Sequence, residues 1–322
     1  MQASAVGNIS ADAKRSWPTG YSMPMSADIK SCFGRYKRTS LSKTILTSLL
    51  DLLTICAVAG MDHWLFDASS FFWLPVGVIS LIIIARAQRG LECLVHEGSH
   101  YNWSRVGAVN DALVNLLAAL PVFSLVQRYR ESHKIHHSNF GSALDVDRQR
   151  YEQLGIDDLD RSSAKSFLQG MATRLPRYIL SWWRAIGFNV KGLFYSLTWH
   201  AVVFILPLAI AFGFKTSLAL WLRYWLLPIM IVLPVIRFIG EAGEHIYRNT
   251  DNVLDATVSN YGLLHGLLIH PHNDGYHLLH HLTPTVPHFN LKKAHAFLST
   301  ADALNYGMRH RHRSRILQVP EP

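Results

Sequence analysis

The chain has few charged residues and few cysteines. Charged side chains make up 16% of the 322 residues, against roughly a quarter in a typical soluble domain. Hydrophobic residues make up 49%, which excludes a disordered chain because this much apolar surface would collapse in water. Cys32, Cys56 and Cys93 are odd in number and scattered, which excludes a secreted fold held together by disulfides.

Several other features are missing as well. We find no internal repeat, no low-complexity segment and no linker rich in Pro and Gly. No apolar core follows the basic residues near the start, so a cleaved signal peptide is not expected. By contrast, the chain has 18 histidines and a net charge of +9, with a mean hydropathy of +0.13. These values favour one sizeable domain in a membrane and leave the histidines and the positive charge to be explained.

Four apolar stretches predict membrane-spanning helices, since about 20 apolar residues cross roughly 30 Å of hydrocarbon. Short links at 62–67 and 214–216 join them into two helical hairpins. Asp51 lies within the first stretch and should face protein, because a charge facing lipid is costly. Buried helices of a soluble bundle explain these long, nearly uncharged runs less well than membrane helices do. The four stretches are 44–60, 71–84, 193–212 and 218–239.

The distribution of Lys and Arg predicts the orientation. Nearly all of them lie in the N-terminal arm, in the stretch 86–191 and in the C-terminal tail, which places all three on the cytoplasmic side. Membrane orientation therefore explains the excess of Lys and Arg without a nucleic-acid partner. The run from Arg309 to Arg313 is expected to be a solvated tail that faces lipid headgroups. We divide the chain into an arm (1–40), a membrane domain (41–305) and a basic tail (306–322).

Eight histidines fall into three spaced groups. Offsets of three and four place side chains on one face of a helix, so each group can present several imidazoles to one point. One His-x3-His is expected roughly once by chance at this histidine frequency, whereas two copies of His-x2-His-His have odds below about one per cent. The groups are HEGSH (His96, His100), HKIHH (His133, His136, His137) and HLLHH (His277, His280, His281).

The predicted topology brings the three groups to one membrane face. Two crossings separate His137 from His277, and the apolar piece 112–126 is too short to span, so it should lie in the interface or dip back. One zinc takes about four ligands, so two metals sharing eight or nine imidazoles fit better. His245, in GEAGEH just after the fourth stretch, is the ninth candidate. Imidazole suits iron, copper and zinc, although the lack of a thiolate argues against Cu(I).

Several longer motifs surround these histidines. HEGSH is followed by Asn110-Asp111 and Pro121, and YRESHKIHH is followed by Asp145-x-Asp147. IRFIGEAGEH ends the fourth stretch, and PHNDGYHLLHHLTPTVPHFNLKKAH follows it. Together these segments, from about residue 85 to 300, resemble the membrane fatty acid desaturase family in its broad sense, which includes hydroxylases and ketolases. The compact chain looks like the bacterial branch of that family.

This resemblance implies an all-α integral membrane protein with four transmembrane helices and a cytoplasmic histidine-rich cap that holds two non-haem irons. The reduced irons would activate O₂ to an oxidant that abstracts hydrogen from an unactivated C–H bond. Loss of a second hydrogen gives an alkene, and oxygen rebound gives an alcohol. The implied ligands are His96, His100, His133, His136, His137, His277, His280 and His281, with His245 as the additional one.

The resemblance favours a desaturase acting on a fatty acyl chain or on a small acyl or amino-acid-derived compound. A hydroxylase or ketolase stays open as the alternative. A zinc-dependent membrane hydrolase is the distant one, since about three histidines and an acid would suffice for it. In one departure, Leu279 lies between the third-group histidines where many acyl-chain desaturases carry Glu or Gln. The likeness to the compact bacterial branch, which includes enzymes acting on small amino-acid-derived or specialised substrates, argues against a long acyl-lipid substrate.

The resemblance also bears on partners and location. The chain contains no HPGG motif of a cytochrome b5-like domain. Electrons are therefore expected from a separate donor of the ferredoxin or cytochrome b5 type with its reductase. The expected location is the bacterial inner membrane, with both termini cytoplasmic.

Acidic residues near the motifs are candidates for holding the imidazole rings, because ligating histidines usually donate their other ring N–H to a carboxylate or carbonyl. Glu97 points roughly 100° around the helix from His96 and is expected to face solvent. His270 and His272 lie near the site in sequence and are expected not to be ligands. The candidates are Asp145, Asp147, Glu241, Glu244 and Asp274, with Asn273 expected to shape the loop before the third group.

Overall fold

The computed structural model describes residues 25–68, 73–248 and 252–320, and most of them are helical, as predicted. The described helices of the first half are α1 (Ala27–Phe33), α2 (Leu41–Ala68), α3 (Trp73–Ser99), α4 (Gly107–Val114), α5 (Val126–Ser138), α6 (Val146–Leu154) and α7 (Ala164–Phe188). Those of the second half are α8 (Val190–Trp199), α9 (Leu206–Phe212), α10 (Phe214–Trp221), α11 (Leu233–Glu244), α12 (Val253–Ala256), α13 (His277–Leu282) and α14 (His288–Ala301).

Several helices continue into one another through wider or tighter turns. The π-helical turns are Asn115–Ala119, His200–Ile205, Leu222–Leu226, Pro228–Val232, His265–Ile269 and Ala303–Gly307. The 3₁₀ turns are Gly34–Lys37, Leu120–Val122, Ile156–Asp158 and Pro271–Asn273. Two short strands, β1 (Ser259–Asn260) and β2 (His312–Arg313), pair in parallel.

Three continuous helical segments are long and apolar enough to cross a membrane. They coincide with the first, third and fourth predicted stretches. Large apolar side chains on them point outward, such as Leu53 at 62% and Ile210 at 81% exposure, which fits helices that face lipid on their outer side. The three segments are Leu41–Leu65, Val190–Phe212 and Phe214–Glu244.

The second predicted crossing is not among these segments. Residues 71 and 72 of the predicted stretch lie outside the described ranges, and the rest lies on α3. The second half of α3 carries Arg86, Arg89 and Glu92, which lowers the hydropathy of the helix as a whole. The helix packs against α2, as the predicted first hairpin requires.

The apolar piece between the first two histidine groups bends back, as expected. Gly107–Val122 and Val126–Ser138 meet at 89°, at a turn where Phe123 adopts a φ of 57°. His100 precedes this pair and His133 lies near its end, and their Nε2 atoms are 3.0 Å apart. The pair therefore brings His133 back to the end of α3 where His100 lies.

Acidic residues of α2 are paired inside the protein. Asp51 is buried and lies 3.3 Å from Arg86 and 2.6 Å from His272, which confirms that it faces protein. Nearer the other end of the helix, Asp62 accepts hydrogen bonds from Arg223 at 3.1 Å and from Tyr224 at 2.8 Å. This second contact joins the two predicted helical hairpins close to the links at 62–67 and 214–216.

The expectation of a solvated tail from Arg309 to Arg313 is wrong. His310 and Arg313 are only 5% and 3% exposed. Arg313 Nη1 donates to the carbonyl of Gly243 at 2.6 Å, and β2, which contains Arg313, pairs with β1. His310 contacts the hydroxyl of Ser259 at 3.0 Å. Neither this partner nor the Gly243 carbonyl can be identified from a charged run of sequence.

Candidate metal centre

All nine histidines singled out in the sequence come together in one buried cluster. Each is at most 9% exposed, although they come from four separate parts of the chain. The first group lies at the end of α3, the second on α5 and the third on α13, while His245 directly follows α11. The cluster consists of His96, His100, His133, His136, His137, His245, His277, His280 and His281.

Five of these imidazoles surround one point, and we call them the five-imidazole group. The Nε2 atom of His96 lies 2.9 Å from those of His133 and His280. The Nε2 atom of His137 lies 3.1 Å from the same two atoms, and that of His100 lies 3.0 Å from His133. All five nitrogen atoms are within 4.8 Å of one another, close enough to hold one metal ion.

The other four imidazoles form the four-imidazole group beside it. Nε2 of His277 lies 3.0 Å from that of His245 and 3.2 Å from that of His281. His136 lies 3.3 Å from His281 through the same ring atoms, and His136, His245 and His281 could hold one ion. The rings of His137 and His281 stack with centroids 4.5 Å apart, so the two groups are in direct contact.

Local backbone structure explains how the side chains converge. In α5 and α13 the offsets of three and four put the histidines on one face, as the spacing predicts. The loop before α13 turns sharply because His272 and Asn273 have φ values of 58° and 63°. A Cβ on Gly275 would lie 1.8 Å from the carbonyl oxygen of Asn260, so only glycine fits there.

A carboxylate orients one imidazole in each group. Asp274 contacts Nδ1 of His96 at 3.2 Å and accepts a hydrogen bond from Arg89 at 2.9 Å. Asp145 contacts Nδ1 of His136 at 2.8 Å and also accepts from the backbone N–H of Gly141 at 2.8 Å. When Nδ1 donates its proton to the carboxylate, Nε2 presents its lone pair to the cluster.

The other candidates lie near the cluster but have different partners. Asp147 is 3.5 Å from His136, and its side chain is 37% exposed. Glu241 contacts Arg150 at 3.0 Å and accepts from Tyr178 at 2.7 Å. The remaining two are Glu244, which lies 3.5 Å from His270, and Asn273, which donates to the carbonyl of His288 at 3.0 Å.

Glu97 does not face solvent, contrary to expectation. Its side chain is buried, and Oε2 accepts a hydrogen bond from the backbone N–H of His288 at 2.7 Å. Asn102 donates to the same oxygen at 3.3 Å. The first turn of α14 packs against the side of α3 that carries Glu97, a contact that the sequence of α3 alone does not reveal. The hydrogen bond from His288 to Glu97 therefore joins these two helices.

The electrostatic environment keeps most of the cluster neutral. Burial first, and then the neighbouring imidazoles, hold the pKa values of His100, His133 and His137 well below the usual range. The same causes act on His280 and His281. Neutral imidazole is the form that binds a metal, because the lone pair must be free.

His136 is different from these residues. Burial acts to lower its pKa, but the carboxylates of Asp147 and Asp145 outweigh that effect and raise the pKa above the usual value. This shift shows how strongly the two acids favour a proton on the ring. In a metal-bound state the same interaction would hold that proton on Nδ1 and leave Nε2 as the donor.

The donor set fits bound metal ions. Two nitrogen ligands at about 2.1 Å from one ion and at right angles to each other lie about 3 Å apart. The shortest Nε2 to Nε2 contacts within the two groups are between 2.9 and 3.3 Å. All nine donors are imidazoles, a ligand type that suits iron, zinc and copper.

A cavity of about 350 Å³ borders the cluster at His133. Apolar side chains such as Phe123 and Trp182 form part of its wall. Three arginines and four carboxylates form much of the rest, and the sequence analysis missed all three arginines. Arg237 lies in a predicted span, and an ionisable residue at such a position is a signal that could have identified it. Arg89 and Arg150 carry no comparable signal.

Comparison with known proteins shows which family has these features. The fatty acid desaturase family model matches residues 71–314, a range that contains all nine histidines. An sn-1 acyl-lipid omega-3 desaturase (ferredoxin) from Nostoc sp. (strain 36) is 25% identical over 283 residues, covering 79% of this chain and 74% of the relative. Dihydrorhizobitoxine desaturase from Bradyrhizobium elkanii is 27% identical over 239 residues, covering 67% and 66%.

A plant relative extends the similarity. The chloroplastic omega-6 fatty acid desaturase of Arabidopsis thaliana is 21% identical over 272 residues, which cover 79% of this chain and 58% of the relative. The family model spans well over half of the chain and includes the whole imidazole cluster. The chain therefore belongs to the fatty acid desaturase family.

Proposed function

We propose that this protein is an O₂-dependent di-iron desaturase that introduces a C=C bond into an aliphatic substrate, either a fatty acyl chain or a small amino-acid-derived compound. One observation carries the proposal. Nine imidazoles form two adjoining groups, and each group contains one ring held by a buried carboxylate. A hydrolytic zinc site needs only about three protein ligands, so it would leave most of this cluster without a role.

Each of the two groups would hold one iron through the Nε2 atoms of its imidazoles. Bound iron would supply the redox chemistry that activates O₂ against an unactivated C–H bond. The protein's own contribution is to orient the rings through Asp274 and Asp145. Arg89 fixes Asp274 in turn at 2.9 Å. The cavity at His133 would bring the substrate to the cluster, with Phe123 and Trp182 helping to exclude water.

Placement in the membrane and the electron donor form part of the proposal. Three apolar helical segments support a place in the lipid bilayer, and the distribution of Lys and Arg favours a cytoplasmic imidazole cluster in a bacterial inner membrane. Electrons would come from a separate donor of the ferredoxin or cytochrome b5 type with its reductase. The name of the Nostoc relative includes ferredoxin, which supports a donor of the ferredoxin type.

Metal analysis of the purified protein and product analysis in an expressing host test the proposal. We expect about two irons per chain and a product that lacks two hydrogen atoms relative to the substrate. A product with one added oxygen atom would assign hydroxylation to the same centre and contradict desaturation. Mostly zinc with no O₂ uptake would contradict the oxidase altogether. His280→Ala should lose iron and turnover, while His295→Gln, outside the cluster, should keep both.

A further inference from the structure

The cavity that borders His133 is unusually rich in charge for a site that would accept a hydrocarbon chain. Arg89, Arg150 and Arg237 line it together with Glu92, Asp147, Glu241 and Glu244. Burying a charged group against methylene groups is costly, because nothing in the chain replaces the lost water. Its volume of about 350 Å³ lies near the lower end of the roughly 300–1,000 Å³ typical of ligand pockets.

Four of these residues have buried atoms without a hydrogen-bond partner among the described residues: Arg89 at Nε, Glu92 at Oε2, Arg150 at Nε and Nη2, and Glu241 at Oε1. Arg150 forms an ion pair with Glu241 at 3.0 Å between Nε and Oε1. Its Nη2 atom is buried and has no hydrogen-bond partner among the described residues, and the geometry of the ion pair leaves Oε1 of Glu241 without a hydrogen bond there as well. A donor and an acceptor thus lie side by side, and buried polar groups normally have partners.

The other arginines are more firmly engaged. Arg89 pairs with Asp274 at 2.9 Å and approaches Glu92 at 3.6 Å, and Arg237 contacts Glu92 at 3.3 Å. Arg150 is also in an ion pair, but it leaves two buried nitrogen atoms without a hydrogen bond among the described residues, against one on Arg89. The pair formed by Arg150 and Glu241 is therefore the part of the wall best able to receive charged groups of a ligand.

The position of this pair limits how far a bound charge can lie from the imidazoles. Asp147 and Arg150 are three residues apart on α6 and so project from the same face, about one helical turn from each other. Asp147 itself is 3.5 Å from Nδ1 of His136. Arg150 and His133 line the same cavity, so a ligand group bound at Arg150 would lie in the cavity that borders the cluster. The apolar wall near Phe123 and Trp182 can accept the carbon atoms between them.

We infer that the substrate is a small zwitterion of the amino-acid type, whose carboxylate binds Arg150 and whose ammonium group binds Glu241. The inference rests on the proposed oxidation at the imidazole cluster and narrows the substrate class. In an α-amino acid both charged groups sit on one carbon, which matches a donor and an acceptor that are side by side. Its short side chain would then reach from Arg150 and Glu241 toward His133.

Binding of probes to the iron-loaded protein, measured by calorimetry without turnover, tests this inference. The three probes share a short alkyl chain. L-Norleucine carries both charges, hexanoate only the negative charge and hexylamine only the positive charge. We expect L-norleucine to bind at least about tenfold more tightly than either of the others, since one satisfied charge-assisted hydrogen bond accounts for a factor of that size. Equal binding of all three would overturn the inference.

Two variants test which residue binds each charged group of the ligand. Arg150→Gln should weaken L-norleucine and hexanoate about tenfold and leave hexylamine unchanged, whereas Glu241→Gln should weaken L-norleucine and hexylamine. The matched controls are Arg128→Gln and Glu131→Gln, an exposed pair 3.3 Å apart, neither of which lines the cavity; both should bind all probes as the wild type does. Loss of L-norleucine binding in the controls, or none in the cavity variants, would contradict the assignment.

A fourth probe separates a free zwitterion from a lipid headgroup. Phosphocholine also carries both charges, so displacement of L-norleucine by phosphocholine at similar concentration would indicate a headgroup site and overturn the inference. Failure of the proposed function would be separate, since it appears as missing iron or missing oxidation. An active di-iron desaturase that does not bind L-norleucine would refute only the substrate class.

Discussion

Asp145 contacts Nδ1 of His136 at 2.8 Å, and the backbone N–H groups of Gly141 and Asp147 donate to the same carboxylate at 2.8 and 2.9 Å. Burial acts to raise the pKa of Asp145, but the hydrogen bonds from His136 and the backbone outweigh it and lower that pKa. The acid is therefore a fixed anion that also begins α6. One residue couples the orientation of an imidazole to the start of the helix that carries Asp147 and Arg150.

We expect Asp145→Asn to weaken iron binding by about 10- to 100-fold, the usual effect of removing a carboxylate that orients a metal-binding histidine. The amide can still accept from the backbone, so α6 should still form. Iron retained per chain after dialysis against graded chelator measures the effect. Asp147→Asn is the control, because Asp147 is farther from the ring and partly exposed. An equal loss in both variants would contradict a special role for Asp145.

His245 is the one candidate ligand that lies outside the three spaced histidine groups. In His245→Ala the four-imidazole group keeps three rings, while the five-imidazole group is untouched. We expect iron to be lost preferentially from the smaller group, so that the content falls from about two toward about one per chain. Elemental analysis measures it, with His295→Gln as the control. Full iron and turnover in His245→Ala would show that His245 is not a ligand.

The sequence predicts the parts of the site that depend on local spacing. Offsets of three and four fix which face of a helix His133, His136 and His137 share, and topology brings those faces together. Long-range pairs are beyond such reasoning. Glu97 is buried because α14 packs over it, and Arg313 is buried because it reaches a carbonyl 70 residues away. Neither partner can be identified from the neighbouring sequence.

Glu97→Gln should destabilise the protein without removing iron. The carboxylate accepts from the backbone N–H of His288 and from Asn102, so loss of its charge weakens two buried hydrogen bonds, each contributing about 1–3 kcal/mol when one partner is charged. We expect a lower thermal unfolding midpoint in detergent with unchanged iron content. Glu131→Gln, at an exposed position, should leave the midpoint unchanged. Loss of iron at an unchanged midpoint would instead place Glu97 at the metal centre.

Stability should fall in mild acid partly through the C-terminal histidines. Burial, with a smaller effect of His312, lowers the pKa of His295 to about 4, and burial with His295 and His312 lowers that of His310 to about 3. Unfolded histidine titrates near 6.5. Between about pH 6.5 and pH 4 the unfolded chain binds more protons than the folded one, so the free energy of unfolding decreases as pH falls.

Thermal midpoints at pH 7.5 and pH 5 measure this dependence. The imidazole cluster contributes in the same direction, so the informative quantity is the difference between the wild type and His310→Gln. The variant carries no titratable group at that position and should show a smaller drop in midpoint between the two pH values. An identical drop in both proteins would show that His310 does not carry the effect.

Arg313 connects the tail to the four-imidazole group. It donates to the carbonyl of Gly243, two residues before His245. Val258, just before β1, donates to the carbonyl of Glu244 at 2.9 Å. The backbone that positions His245 is therefore held from two sides. Arg313→Gln removes one of two buried donors to the Gly243 carbonyl, which keeps the hydrogen bond from Asn260 at 2.8 Å. A hydrogen bond from a charged donor contributes about 1.5–3 kcal/mol.

We accordingly expect Arg313→Gln to lower the unfolding midpoint and to release iron from the four-imidazole group at lower chelator concentration than the wild type. Arg309→Gln is the matched control, since Arg309 is 44% exposed and pairs with Asp255 at 3.5 Å; it should change neither quantity measurably because an exposed ion pair contributes little. If Arg313→Gln lowered the midpoint but released both irons together, the tail would stabilise the whole fold and not the backbone around His245.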